Sequence, residues 1–243
     1  GMFSANFRSA QPQNMGESEP RVHFRVIRFM HEAGLRLHVG SIPMATACVV
    51  YHKFFCDYSI NDYDPYLIGS TALYLAGKVE EQHLKLRDIV NVCYKTLHRR
   101  KPALEIGETF NALHESIPSC ELLISRCLRF KVVFVHPHKH LLHYLKSLES
   151  WFPRDEWAGV PIASTAWSLL KDSYHSRVCL KYPPQHLAVA VIYLALLSYG
   201  REVPYNKYAD TPWWKAFCDD ITLPIIHTII KDITTTYEME ITV

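Results

Sequence analysis

Apolar residues recur along this chain at helical rather than strand spacing. Val22, Val26, Phe29 and Ala33 share one face, with Arg25, Arg28 and Glu32 off it, which predicts a helix over 21–37. Ser41 and Pro43 open a second, reaching about residue 56, with Ala47, Val50 and Phe54 inward. Residues 61–64 read as a turn. The next stretch, 64–81 (DPYLIGSTALYLAGKVEE), is apolar or small on most sides, the pattern of a buried central helix. Asp64 is its expected N-cap and Pro65 fits its first turn. A fourth helix over 86–98 carries Ile89, Val90, Cys93 and Leu97 as its stripe, and 99–107 reads as an exposed loop. A fifth is expected over 116–129. Residues 130–137 (FKVVFVHP) then leave the helical period and end in Pro, which places a domain boundary there.

The rhythm repeats beyond it. Helices are expected near 138–150, 161–177, 184–199 and 223–237, with a short one at Trp213, and Pro161, Pro184 and Pro224 sit where helices start. PQHLAVAVIYLALL (184–197) aligns with PYLIGSTALYLAGK (65–78): both begin with Pro and carry Tyr-Leu-Ala at the same offset. Two such helices imply one helical unit used twice. Lys78 of the first copy is Leu197 in the second. The chain therefore reads as all-α with two similar lobes, 21–133 and 134–243. Residues 1–20, polar and without periodicity, read as a disordered tail in which Gly1 before Met2 resembles an expression scar.

Composition narrows the function classes. Of 243 residues 49% are hydrophobic and 21% charged, enough for each lobe to bury a core. A net charge of +2 is too small to argue for nucleic acid or an anionic membrane. The seven cysteines form no C-x-x-C pair, and Cys48, Cys93 and Cys127 lie in apolar runs, as reduced buried thiols do. With no spanning stretch or signal peptide legible, an intracellular place in nucleus or cytoplasm is expected.

No catalytic constellation emerges. HPHKHLLH (136–143) offers four imidazoles but no carboxylate, and polar capping of a helix after Pro accounts for them better than a metal. Glu80-x-x-His83 stands alone where a di-iron bundle needs two such motifs, and Ser168-x-x-Lys171 lacks its companions. The basic run 98–101 has no aromatic interleaving. No cofactor is implied. Trp213 and Trp214 read as core or interdomain anchors.

Lys78 and Glu121 are left. Each is a charged group among apolar neighbours (Leu75, Val79, Leu128, Phe130, Val132), the make-up of a docking patch with an apolar centre and a few polar anchors.

The residues also carry a resemblance. YLAGKVEEQ (74–82), CELLISRCLRFKV (120–132), HPHKHLL (136–142), YPPQHLAVAVIYLA (182–195) and PWWKAF (212–217) are, in order, similar to motifs of the cyclins, in the form seen in their transcription-type branch. The resemblance implies two tandem five-helix cyclin boxes and a regulatory subunit that binds and activates a cyclin-dependent kinase, with cyclin-dependent kinase ten as the expected partner. It implies that Lys78 and Glu121 hold the backbone leading into the kinase's mobile helix, and that Leu75, Val79, Leu128, Phe130 and Val132 are apolar contacts. RVHFRVIRF (21–29) lacks the first-helix pattern with which cell-cycle cyclins recruit substrates, and the tail has no Arg-x-x-Leu degradation signal. The alternative is a nucleic-acid-binding transcription-factor core on the same double-box fold, against which the small net charge argues.

Overall fold

The computed structural model describes residues 18–204 and 211–241, so the expected tail through residue 17 lies outside the described residues. Helices account for the regular structure of the rest. The chain divides into two units, Gly1–Phe134 and Val135–Val243. The first holds α1 (Glu19–Arg36), α2 (Ser41–Asp57), α3 (Pro65–Val79), α4 (Leu86–Leu97) and α5 (Glu108–Cys127). Among its described residues the second holds four long helices, α6 (Pro137–Trp151), α8 (Ile162–Ser173), α10 (Pro184–Ser198) and α11 (Leu223–Ile241). Between them lie short α7 (Arg154–Ala158) and α9 (Val178–Lys181) and a 3-10 helix (Trp213–Ala216).

Helix α3 is the axis of the first unit, packed against α1, α2, α4 and α5. Asp64 caps it as expected, its carboxylate accepting from the Tyr66 N–H at 3.1 Å, and twelve of its fifteen residues are buried. Two glycines set how closely neighbours approach. A Cβ on Gly69 would stand 3.1 Å from Met30 Cγ and 3.2 Å from Val26 Cγ1, so α1 crosses where a side chain is missing. A Cβ on Gly77 would stand 2.8 Å from Leu84 Cδ1 and 2.9 Å from the Gln82 carbonyl oxygen, because the chain folds back over the helix end.

Four boundaries differ from expectation, one of them the end of α11, which runs to Ile241 rather than 237. Helix α1 starts at Glu19 with Pro20 in its first turn, inside the stretch read as tail. Helix α5 starts at Glu108, eight residues early, and runs through Pro118. A proline there costs one intrahelical hydrogen bond and about 3 kcal/mol. The buried stripe Phe110, Leu113, Ile117, Cys120 and Ile124 keeps helical spacing across it, and burying apolar side chains at about 1.5–3 kcal/mol each outweighs the penalty. Helix α8 stops at Ser173 rather than 177: the Ser173 hydroxyl donates back to the Leu170 carbonyl at 2.6 Å, and Tyr174, the C-cap, turns into the core with 2% exposure.

In the second unit α10 takes the place α3 has in the first, packed against α6, α8 and α11 and fully buried over 187–192. Leu197, where α3 has Lys78, is 62% exposed.

Candidate functional site

Helix α3 ends in four residues with divided duties. The Thr46 hydroxyl donates to Glu80 Oε1 at 2.6 Å. Gln82 Oε1 accepts from the Gly40 N–H at 2.9 Å while its Nε2 donates to the His38 carbonyl at 2.8 Å. Glu81 between them has φ of 56°, a left-handed conformation that turns the chain back over Gly77. Glu80 and Gln82 thus fasten the helix end to α2 and to the turn before it, leaving Lys78 directed outward with about half of its side chain exposed.

Lys78 meets Glu121 of α5. Its ammonium donates to both carboxylate oxygens at 2.9 Å and lies 4.3 Å from the centroid of the Tyr74 ring, one helical turn earlier. Glu121 keeps 18% of its side chain exposed. Partial burial acts to lower the Lys78 pKa, but the hydrogen bonds and charge of Glu121, with Tyr74 added, hold it above the ordinary lysine value. The ammonium stays charged. It has three donors and the carboxylate about four acceptor sites, so the pair keeps hydrogen-bonding capacity after satisfying itself.

Of the apolar positions, Leu75 and Val79 belong to α3, whereas Leu128 caps α5 and Phe130 and Val132 lie in the segment that leaves it. Leu75 is 6% exposed and belongs mostly to the core, while Val79, Leu128 and Val132 are half-buried. Leu128 stands two turns after Glu121 and caps α5, its N–H reaching the Ile124 carbonyl at 2.9 Å. Arg129 (φ 51°) and Phe130 (φ 60°) follow, two successive side-chain-bearing residues in the left-handed region, closed by Phe130 N–H to the Ser125 carbonyl at 2.7 Å. Each such residue costs about 1 kcal/mol or more. The corner leaves Phe130 68% exposed, with Val133 at 84% beside it. A strained turn holding an aromatic side chain in water is an arrangement found at functional surfaces.

Tyr74, Glu80, Gln82 and the Arg129–Phe130 corner went unread in the sequence. Tyr74 had a signal, its i, i+4 spacing to Lys78; the left-handed pair had none, since neither residue is Gly or Asn.

Of the four histidines of 136–143, His136 and His138 are buried packing residues rather than helix caps, while His140 is half-buried and His143 exposed. His136 precedes α6 but makes no side-chain cap. It is buried with Nδ1 3.3 Å from the Tyr174 hydroxyl, and His138 stacks on the Tyr174 ring and meets Trp167 edge-on. Burial pushes both pKa values down to about 4. Trp213 and Trp214 are half-buried and line a cavity of about 800 Å³ with Trp151 and Tyr193 instead of filling the core. In the basic loop, Arg99 pairs with Glu32 of α1.

Residues 5–133 match the cyclin N-terminal domain, more than half of the chain. The chain belongs to the cyclin family. Among curated relatives it is 27% identical to Cyclin-K of Danio rerio over 90% of this chain and 50% of that one. It is 29% identical to Cyclin-T1-4 of Arabidopsis thaliana over 80% of this chain and 35% of that one. This cyclin therefore spans about half or less of the length of these relatives. Its fold is similar to a chain of the yeast RNA Pol II CTD kinase CTDK-1 complex, with TM-score 0.68 at 16% identity, covering 90% of this chain and 66% of that one. A chain of the yeast TFIIK complex gives TM-score 0.62 at 16% identity, covering 90% and 85%.

Proposed function

We propose that this cyclin is the regulatory subunit of a cyclin-dependent protein serine/threonine kinase and activates it allosterically, performing no chemistry itself. The observation that carries this reading is the bidentate Lys78–Glu121 pair between α3 and α5, with Val79 one residue beyond Lys78 and exposed Phe130 in the turn that leaves α5. A cation and a carboxylate side by side, each with hydrogen-bonding capacity left, suit the C=O and N–H groups of a passing backbone segment. The apolar positions around them supply the area that such a contact buries.

The segment gripped is the one leading into the kinase's mobile helix. Holding it inward favours the conformation in which a helix Glu pairs with the ATP-positioning Lys and the activation loop opens. The cyclin biases a two-state element by binding one state better than the other. Family membership and the kinase complexes among the similar folds support a kinase partner. The motif resemblance supports the finer reading, a transcription-type cyclin nearest cyclin Q (cyclin M) whose kinase is cyclin-dependent kinase ten, working in the nucleus.

Co-expression with a panel of cyclin-dependent kinases, scored for co-purification and kinase activity, tests the proposal. One kinase is expected to co-purify and become active, and Lys78→Ala to lose it. Failure of every kinase to bind would overturn it.

A further inference from the structure

We propose that His186, Cys218 and Asp220 of the second unit bind a zinc ion. The three come from two places in the chain: His186 from the first turn of α10, Cys218 and Asp220 from the segment between the 3-10 helix and α11. Among the described residues they form the one convergence of three metal-ligating side chains, with the ligand atoms all within 4.8 Å of one another. His186 is 8% exposed, and its Nε2 is buried without a hydrogen-bond partner although Asp220 Oδ2 lies 3.1 Å away. The other carboxylate oxygen, Oδ1, lies 3.3 Å from Cys218 Sγ.

Both contacts of Asp220 have ligand-like lengths, one on each of its carboxylate oxygens, and all three side chains offer a ligand atom within 4.8 Å of the others. Around a tetrahedral zinc with bonds of about 2.0 Å to nitrogen or oxygen and about 2.3 Å to sulfur, neighbouring N and O ligands stand about 3.3 Å apart and S and O about 3.5 Å. One imidazole, one thiolate and one carboxylate are the ligand types that zinc takes, and the two negative charges cancel the ion's two positive ones. On binding, the Cys218 thiol releases its proton to solvent. Asp220 is 74% exposed, so the group opens to water, which supplies the fourth ligand. The ion would tie the start of α10 to the approach to α11. No spacing motif announces the site, because 32 residues separate His186 from Cys218.

The full chain, stripped with a chelator and dialysed, is titrated with Zn²⁺ and then with Co²⁺ as a spectroscopic probe. One equivalent of zinc is expected, together with a raised thermal midpoint and, for cobalt, a sulfur-to-metal charge-transfer band. Cys218→Ser, a half-buried position, should abolish the band while circular dichroism stays that of the parent. Asp220→Asn should weaken zinc affinity by at least about tenfold, the loss that even an outer-shell partner can cause. Cys56→Ser, at an exposed cysteine of the other unit, should change neither. No uptake near one equivalent, or a band that survives Cys218→Ser, would overturn the proposal.

Discussion

Gly77→Ala tests how the end of α3 is positioned. Within a helix the change should stabilise by about 1 kcal/mol, since glycine is the weaker helix former. Here the added Cβ would lie 2.8 Å from Leu84 Cδ1 and 2.9 Å from the Gln82 carbonyl oxygen. The leucine methyl can rotate away. The carbonyl cannot, because the Gln82 side chain is fastened to Gly40 and His38 on both sides. A clash with fixed backbone belongs in the upper part of the about 1–3 kcal/mol that overpacking costs. The net expectation is a loss of about 1–2 kcal/mol. The readout is hydrogen exchange of the α3 amides, followed by mass spectrometry across a urea series. Protection in α3 should fall. Protection equal to or above the parent's would refute the close fold-back, and with it the account of how Lys78 is directed.

Three further outcomes are expected. Asp64→Ala removes the α3 cap and should cost the first unit about 1 kcal/mol, measured in the same exchange experiment. Arg129→Gly relieves one left-handed residue and should stabilise that unit by up to about 1 kcal/mol, visible as increased protection at the end of α5. The second unit should lose stability in acid. Above pH 6.5, His136 and His138 are neutral in folded and unfolded chains alike and stability is at its full value. Between 6.5 and about 4 the unfolded chain takes up protons that the buried rings do not, so stability falls, by about 3 kcal/mol for each ring once pH is below 4. Urea midpoints followed by tryptophan fluorescence should trace that fall, and His138→Phe should flatten it.

What could be read beforehand follows from what leaves a periodic trace. The buried α3 and α10, the Asp64 cap and the stripe of α4 are written in apolar spacing and in turn residues. The start of α5 lies eight residues before the expected one, and the packed stripe from Phe110 to Ile124 carries the helix through Pro118. Sequence shows the polarity of His136 and His138 but not Tyr174 and Trp167, which make these two core residues. Lys78 and Glu121 stood out as charges in apolar surroundings, whereas their bidentate contact depends on how α3 meets α5, a distance of 43 residues along the chain. The left-handed corner at Phe130 and the grouping of His186 with Cys218 and Asp220 depend wholly on tertiary structure.

The central claim is that Lys78 and Glu121 together grip one stretch of kinase backbone. Its most direct test is a double-mutant cycle on the dissociation constant between this cyclin and the kinase with which it co-purifies, using Lys78→Ala, Glu121→Ala and both. Each single change should cost about 2 kcal/mol or more, a factor of about 30 in affinity, with the folded state retained. Since both residues hold the same segment, the double variant should lose much less than the sum of the two. Single variants within about twofold of the parent, or strictly additive losses, would contradict the account.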